Sequence, residues 1–162
     1  MKVGILSDTH DKLERTRVAV DLLCSAGADV LFHCGDLTRP PIVEACALRP
    51  CYFTFGNNDD YEIPNLQQAA VEFGAVCLGW GDVVELGGKR IGLVHGHLTT
   101  DLRRVLASNP DYLFSGHSHM VSDTRVGSVR RINPGALHRA EQFSVAMLDL
   151  ETDELQFLFV PR

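Results

Sequence analysis

The chain has 162 residues, of which 45% are apolar and 22% charged, a composition suited to one soluble domain spanning residues 1–162 with its own hydrophobic core. A formal net charge of −6 argues against stable nucleic-acid binding and against broad attraction to anionic lipid, both of which need clustered Lys and Arg. It leaves a phosphate site open, because bound cations reverse the local sign.

Taken in chain order, Lys2 to Ser7 reads as a nearly all-apolar strand, as expected for one covered on both faces. Lys12 to Ala26 has helical spacing with Gly27 as its stop, and Val30 to His33 is a second short strand. Pro40 and Pro41 suit the first turn of a helix running to about Leu48. Cys51 to Phe55 and Asn65 to Phe73 complete a β-α-β-α-β-α rhythm, which predicts a parallel sheet with helical cover. The second half is richer in strands. Val76 to Leu86 and Lys89 to Val94 flank a Gly87-Gly88 hairpin turn. Thr99 to Ser108 is helical, with Thr99 or Thr100 as its N-cap. Strands follow over Tyr112 to Ser115, Asp123 to Arg125, Val129 to Ile132, Phe143 to Leu150 and Glu154 to Val160. Two sheets with helices outside would make a layered α/β sandwich.

No run approaches the roughly 20 apolar residues of a membrane span, and Val3 to Leu6 is too short for a signal-peptide core. Cys24, Cys34, Cys46, Cys51 and Cys77 are odd in number and scattered, without a C-x-x-C pair. They read as reduced thiols in a cytoplasmic protein.

The residues able to do chemistry sit where apolar strands end. Asp8-Thr9-His10 follows Val3 to Leu6, Gly35-Asp36 follows Val30 to Phe32, and Gly56-Asn57-Asn58-Asp59 follows Tyr52 to Phe55. His95-Gly96-His97 follows Ile91 to Val94, and Gly116-His117-Ser118-His119 follows Tyr112 to Phe114. Ligands bind outside the carboxyl ends of strands in open α/β sheets, so five such ends can share one crevice. Imidazole, carboxylate and amide donors without thiolate suit manganese, iron or zinc. About seven candidate ligands exceed one ordinary site and match two ions that share a bridging carboxylate. Each motif alone has an ordinary alternative: a helix cap, a turn, or a hydrogen-bonded surface histidine. Their joint occurrence does not.

The series D-x-H, G-D, G-N-x-D, H-G-H and G-H-x-H, with the late Asn133-Pro134-Gly135, resembles the calcineurin-like metallophosphoesterase superfamily. The short chain is similar to its small phosphodiesterase branch, which includes the retromer subunit Vps29. The resemblance implies a four-layer α-β-β-α sandwich of two mixed sheets. It implies one ion held by Asp8, His10, Asp36 and His119, and a second held by Asp36, Asn57, His95 and His117, with Asp36 bridging. Manganese is the first expectation, with iron, zinc and nickel as alternatives. The implied activity is hydrolysis of a small phosphodiester by a hydroxide bridging the two ions; the alternatives are a phosphomonoesterase and a Vps29-like protein-binding scaffold. A homodimer is left open.

Many members of the superfamily read G-N-H-[DE], with the histidine facing the leaving group; here that position is Asn58, an amide that cannot serve as an acid near neutral pH. Asn58 is expected to hydrogen-bond the phosphate or leaving oxygen, Asp59 to orient its loop, and His97 to deliver a proton or to support a ligand from behind. His33 and Cys34 read as packing residues. His138 either reaches the site or faces solvent.

Overall fold

The computed structural model describes residues 1–162. The first half of the chain runs β1 (Lys2–Leu6), α1 (Leu13–Ser25), β2 (Val30–His33), α2 (Pro40–Cys46), β3 (Cys51–Phe53), α3 (Ile63–Phe73) and β4 (Val76–Cys77), with one 3-10 turn at Asp60–Glu62. The second half runs β5 (Asp82–Leu86), β6 (Lys89–Leu93), α4 (Thr99–Ala107), β7 (Tyr112–Phe114), β8 (Val121–Val126), β9 (Val129–Pro134), β10 (Ser144–Asp149) and β11 (Leu155–Phe159). Sheet one has the order β11-β10-β1-β2-β3-β4 and sheet two the order β5-β6-β7-β9-β8. Both are mixed. β1 to β4 are parallel, while β10 and β11 join antiparallel. In sheet two, β6, β7 and β9 are parallel between antiparallel edges β5 and β8.

Alternation along β1 explains the layers. Val3 and Ile5 pack between the sheets with Phe32, Leu93, Phe114 and Leu148, whereas Leu6 points to the other face, toward Leu23, Val43 and Leu66 of α1, α2 and α3. Period-two side chains on a strand buried on both faces produce this division. Beyond sheet two, Val105 of α4 closes on Val94 and Leu113 in a small third cluster. The order is helices, sheet one, sheet two, helix: the four-layer α-β-β-α sandwich that the motifs imply. No helix is long and apolar enough to cross a membrane, and all five cysteines are free.

Two sequence expectations are corrected. Val76 to Leu86 is not one strand. β4 pairs with β3 in sheet one, and β5 belongs to sheet two. Gly79 (φ 60°) and Gly81 (φ 129°) turn the chain between them, and a Cβ on Gly81 would stand 2.7 Å from the Leu93 carbonyl oxygen. Neither Thr99 nor Thr100 caps α4; Leu98 is the N-cap and no side chain bonds the helix end. The helix is held by Val105 and its neighbours instead.

A clasp joins the sheets at the start of β9. The Arg130 guanidinium donates to both Asp123 oxygens (2.9 and 2.8 Å) and to Asp153 (2.6 Å), and the Tyr112 hydroxyl also donates to Asp153 (2.8 Å). Asp153 lies in the β10–β11 turn of sheet one; its partners belong to sheet two. Its hydrogen bonds to Arg130 hold the Asp123 carboxyl below the ordinary range. Asp153 lies below it too: desolvation opposes ionisation there, but Tyr112 and Arg130 prevail. A carboxyl depressed in the folded state adds stability that is present above its unfolded value of ~3.9 and lost as pH falls through the folded one. Arg130→Ala is therefore expected to lower unfolding free energy at pH 7 by about 1–2 kcal/mol, the two carboxylates being more than a third exposed. The gap between the proteins should shrink as pH is taken from 5 toward 2 in denaturant titrations; a constant gap would show that these ion pairs carry none of the stability.

Candidate metal centre

The five strand-end motifs converge. Asp8 and His10 follow β1, Asp36 follows β2, Asn57, Asn58 and Asp59 follow β3, His95 and His97 follow β6, and His117 and His119 follow β7. Asp8 (φ 54°), His10 (43°), Asp36 (58°), His117 (66°) and His119 (59°) all adopt left-handed backbone. That conformation is costly for residues with a Cβ and persists only where the surroundings enforce it. Five of the seven candidate ligands are so placed, which turns their side chains back into one crevice. Two glycines make the close approach feasible. A Cβ on Gly56 would run into the Asp36 carboxylate, and one on Gly116 would run into the Ser7 hydroxyl and stand 2.6 Å from Asp8 Oδ2.

Asp8 is fully buried. Its Oδ2 accepts from the Ser7 hydroxyl (2.6 Å) and the His117 backbone N–H (3.0 Å). Its Oδ1 is buried with no hydrogen-bond partner, and so is His10 Nε2. Around that Oδ1 stand His119 Nε2 at 3.1 Å, His10 Nε2 at 3.9 Å and His95 Nε2 at 4.0 Å. Asp36 Oδ2 lies 3.2 Å from His10 Nε2 and 3.5 Å from His95 Nε2. Two groups, Asp8-His10-His119 and Asp8-Asp36-His95, have ligand atoms close enough to share one cation each. Asn57 joins through its Oδ1, 3.1 Å from His95 Nε2. The His117 ring stands 5.1 Å from that of His95. Buried ligand atoms left without partners, among carboxylates and imidazoles, are the pattern a divalent cation would complete.

Behind the ligands lies a layer of hydrogen bonds that fixes their orientation. His95 Nδ1 bonds the Cys34 carbonyl (2.8 Å) and His119 Nδ1 the Arg139 carbonyl (3.3 Å), so both rings turn Nε2 inward. Asp59 is buried; its Oδ2 accepts from the N–H of Asp36 (2.9 Å) and Gly56 (2.7 Å), and its Oδ1 from that of Thr38 (2.7 Å). It ties the loops after β2 and β3 together. Asn133 does the same on the other side, its amide donating to the Gly116 carbonyl (2.9 Å) and Ser118 Oγ (3.0 Å) while its oxygen accepts from Gly135 N–H (3.0 Å). The late Asn-Pro-Gly thus supports the His117–His119 loop.

Several placements differ from expectation or add to it. Asn58 does not point outward. Its N–H donates to Asp36 Oδ1 (2.9 Å) and its side-chain amide to Asp36 Oδ2 (2.7 Å), a two-pronged grip on the carboxylate. His33 is more than packing. The Gly35 N–H donates to its Nδ1 (3.2 Å), which puts the proton on Nε2 facing Thr9 Oγ1 (3.1 Å), and the Thr9 hydroxyl donates to the Asp36 carbonyl (3.2 Å). Burial holds this imidazole neutral, with its pKa lowered to about 3. His97 sits between Trp80 and His95, ring centroids 5.7 and 5.3 Å away, and its buried Nδ1 has no partner. Burial, then His95 and His117, push its pKa down. His138 does reach the site, its ring centroid 4.6 Å from that of His10 and tilted by 41°. Arg139 lines the same crevice of about 360 Å³. The sequence carries no motif for it; only its place after Asn133-Pro134-Gly135 hints at the site.

The crevice favours positive charge. Burial opposes ionisation of Asp36, yet the neighbouring His10 and His95 imidazoles and the Asn58 N–H hold its carboxyl well below the ordinary range. His95 is raised although burial opposes it, because Asp36 and Asp8 face it. Burial raises the Asp59 carboxyl against the pull of its three N–H donors.

The model of the calcineurin-like phosphoesterase superfamily domain matches residues 1–153, and the chain belongs to that superfamily. It is 29% identical over 139 residues to a phosphodiesterase of Methanocaldococcus jannaschii, covering 83% of each chain. An archaeal phosphodiesterase of known structure superposes with a TM-score of 0.88 at 27% identity, over 99% of this chain and all of the other. Vps29 of Entamoeba histolytica shares the fold, with a TM-score of 0.68 at 18% identity over 99% of this chain and all of the other.

Asp59→Ala removes the acceptor of two buried N–H groups, those of Asp36 and Gly56, and of the part-buried Thr38 N–H; a buried one costs about 1–3 kcal/mol when stranded. The expected result is a fall in melting temperature together with at least a tenfold loss of divalent-cation affinity in calorimetric titration. An unchanged affinity would mean that the loops hold their ligands without Asp59.

Proposed function

We propose that this protein is a two-metal phosphodiesterase, with Asp8, His10, Asp36 and His119 holding one divalent ion and Asp36, Asn57, His95 and His117 the other. The observation that carries this reading is the pair of buried, unpartnered ligand atoms, Asp8 Oδ1 and His10 Nε2, pointing into a crevice ringed by imidazoles. Asp8 Oδ1 lies near imidazoles of both half-sites, as Asp36 Oδ2 does, so Asp8 shares the central position with Asp36. Bound there, the ions would supply Lewis acidity that makes water nucleophilic near neutral pH and offsets phosphoryl charge. The donor set, without thiolate, fits manganese first, then iron, zinc or nickel.

The protein's own groups then divide the remaining work. Asn58 fixes the Asp36 carboxylate and needs no acidity to do so. Asp59 and the His33–Thr9 chain hold the Asp36 loop. His97, whose ring stands 5.3 Å from that of His95 and 6.1 Å from that of His117, is the residue we assign to the departing alcohol. Diester rather than monoester chemistry is supported by the crevice lining, in which Arg139 is the sole arginine, so no arginine pair clamps a dianion. Free cysteines and the acidic balance support action on a small substrate in the cytoplasm.

Elemental analysis should find close to two ions per chain, and hydrolysis of bis(p-nitrophenyl) phosphate should be restored to stripped protein by manganese. Two ions bound without turnover of any ester would favour a scaffold instead. Asp36→Ala is expected to abolish both binding and turnover. Asn58→Ala tests its grip: manganese affinity should drop ~10–100-fold, with kcat recovering at saturating metal. A kcat that stays low at saturation would instead put Asn58 on the substrate.

A further inference from the structure

All eight residues lining the metal crevice are polar or charged, so an apolar part of a substrate has no place within it. Beside it runs a second hollow of about 510 Å³, within the ~300–1,000 Å³ span of small-molecule pockets. Its apolar lining comes from Met120, Val121, Phe157 and Phe159. His119 and Arg139 line both hollows, so the two adjoin.

The slot has a topological origin. β8 is the edge of sheet two and β11 the edge of sheet one. Met120 and Val121 lead into β8, and Phe157 and Phe159 lie on β11. No strand closes the sandwich on this side. Met120 (68%), Val121 (42%) and Phe159 (54%) are left exposed. Scattered surface apolar residues need no explanation, but these share one hollow that is bordered by the candidate ligand His119. Arg139 puts a cation at the junction, where an anionic phosphoryl group would rest.

We propose that this slot seats the alcohol that stays on phosphorus in a diester substrate, and that it selects an aromatic ring there. The inference rests on the diesterase reading and extends it: a monoester has no second alcohol and would leave the slot empty. Thioether and aromatic side chains favour a flat, polarisable group by contact and by burial of apolar area.

Two esters with the same leaving group test it: phenyl p-nitrophenyl phosphate and methyl p-nitrophenyl phosphate. The kcat/KM ratio, phenyl over methyl, should reach at least tenfold in the manganese-loaded protein and fall at least threefold in Phe159→Ala. Val71→Ala, at an exposed position on α3, should leave the ratio as it was. A readout independent of turnover uses methionine methyl ¹³C labels, of which the chain has three. Diphenyl phosphate should move the Met120 signal and not those of Met1 and Met147, and dimethyl phosphate should move none. If the esters are cleaved but the ratio is near one and Met120 stays still, the slot assignment is wrong while the diesterase reading stands. If no ester is cleaved yet diphenyl phosphate still moves Met120, the hydrolase reading fails and the slot stands.

Discussion

Asp8 and Asp36 bring two carboxylates out of water to within about 3–4 Å of the same imidazoles. Burying such groups costs several kcal/mol each unless donors or cations replace the lost water. Ser7 and the His117 N–H satisfy Asp8 Oδ2, and Asn58 clips both oxygens of Asp36. Asp8 Oδ1 alone among the four oxygens has no donor. Left-handed backbone at five ligands, glycines with no room for a Cβ and the three-way clasp of Asp59 all serve to hold that arrangement against its own cost.

Hydrogen bonds from neighbouring loops fix the orientation of the candidate ligands. Histidines are steered by carbonyls of neighbouring loops, and those loops are pinned by Asp59 and Asn133, both buried. None of these supporting groups needs to titrate near neutral pH. Burial lowers the His33 pKa to about 3, so it supports its loop as a neutral imidazole around neutral pH.

Much of this was legible in the sequence, and the limits have physical causes. Strand-end motifs were visible because a buried parallel strand writes an unbroken apolar run, and the turn after it must hold small or polar residues. The layered sandwich and the strand-end placement of the candidate ligands follow from that grammar; the four layers and the division of the ligands came with the family resemblance. The break between β4 and β5 was not visible, because Val76 to Leu86 is apolar enough for one long strand and only the dihedrals of Gly79 and Gly81 reveal the crossing. The inward grip of Asn58 was hidden for another reason. An exposed amide beside a ligand satisfies either partner, and three-dimensional proximity to Asp36 decides. Arg139 belongs to no motif; it reaches the crevice because the chain after Pro134 returns past His10 and His119.

The order of strands in sheet one carries a consequence for synthesis. β1, the strand that delivers Asp8 and His10, lies between β2 and β10, with Lys2 paired to Asp149. All seven candidate ligands precede residue 120, yet one edge of β1 stays unpaired until residues 144–149 emerge and insert beside it. The link between the first and last thirds of the chain is the slowest kind of contact to form, because the intervening loop must close first. A nascent chain would thus carry a complete set of ligands on an incomplete wall. Firm capture of the proposed ions would, on this topology, report that the final strands have docked.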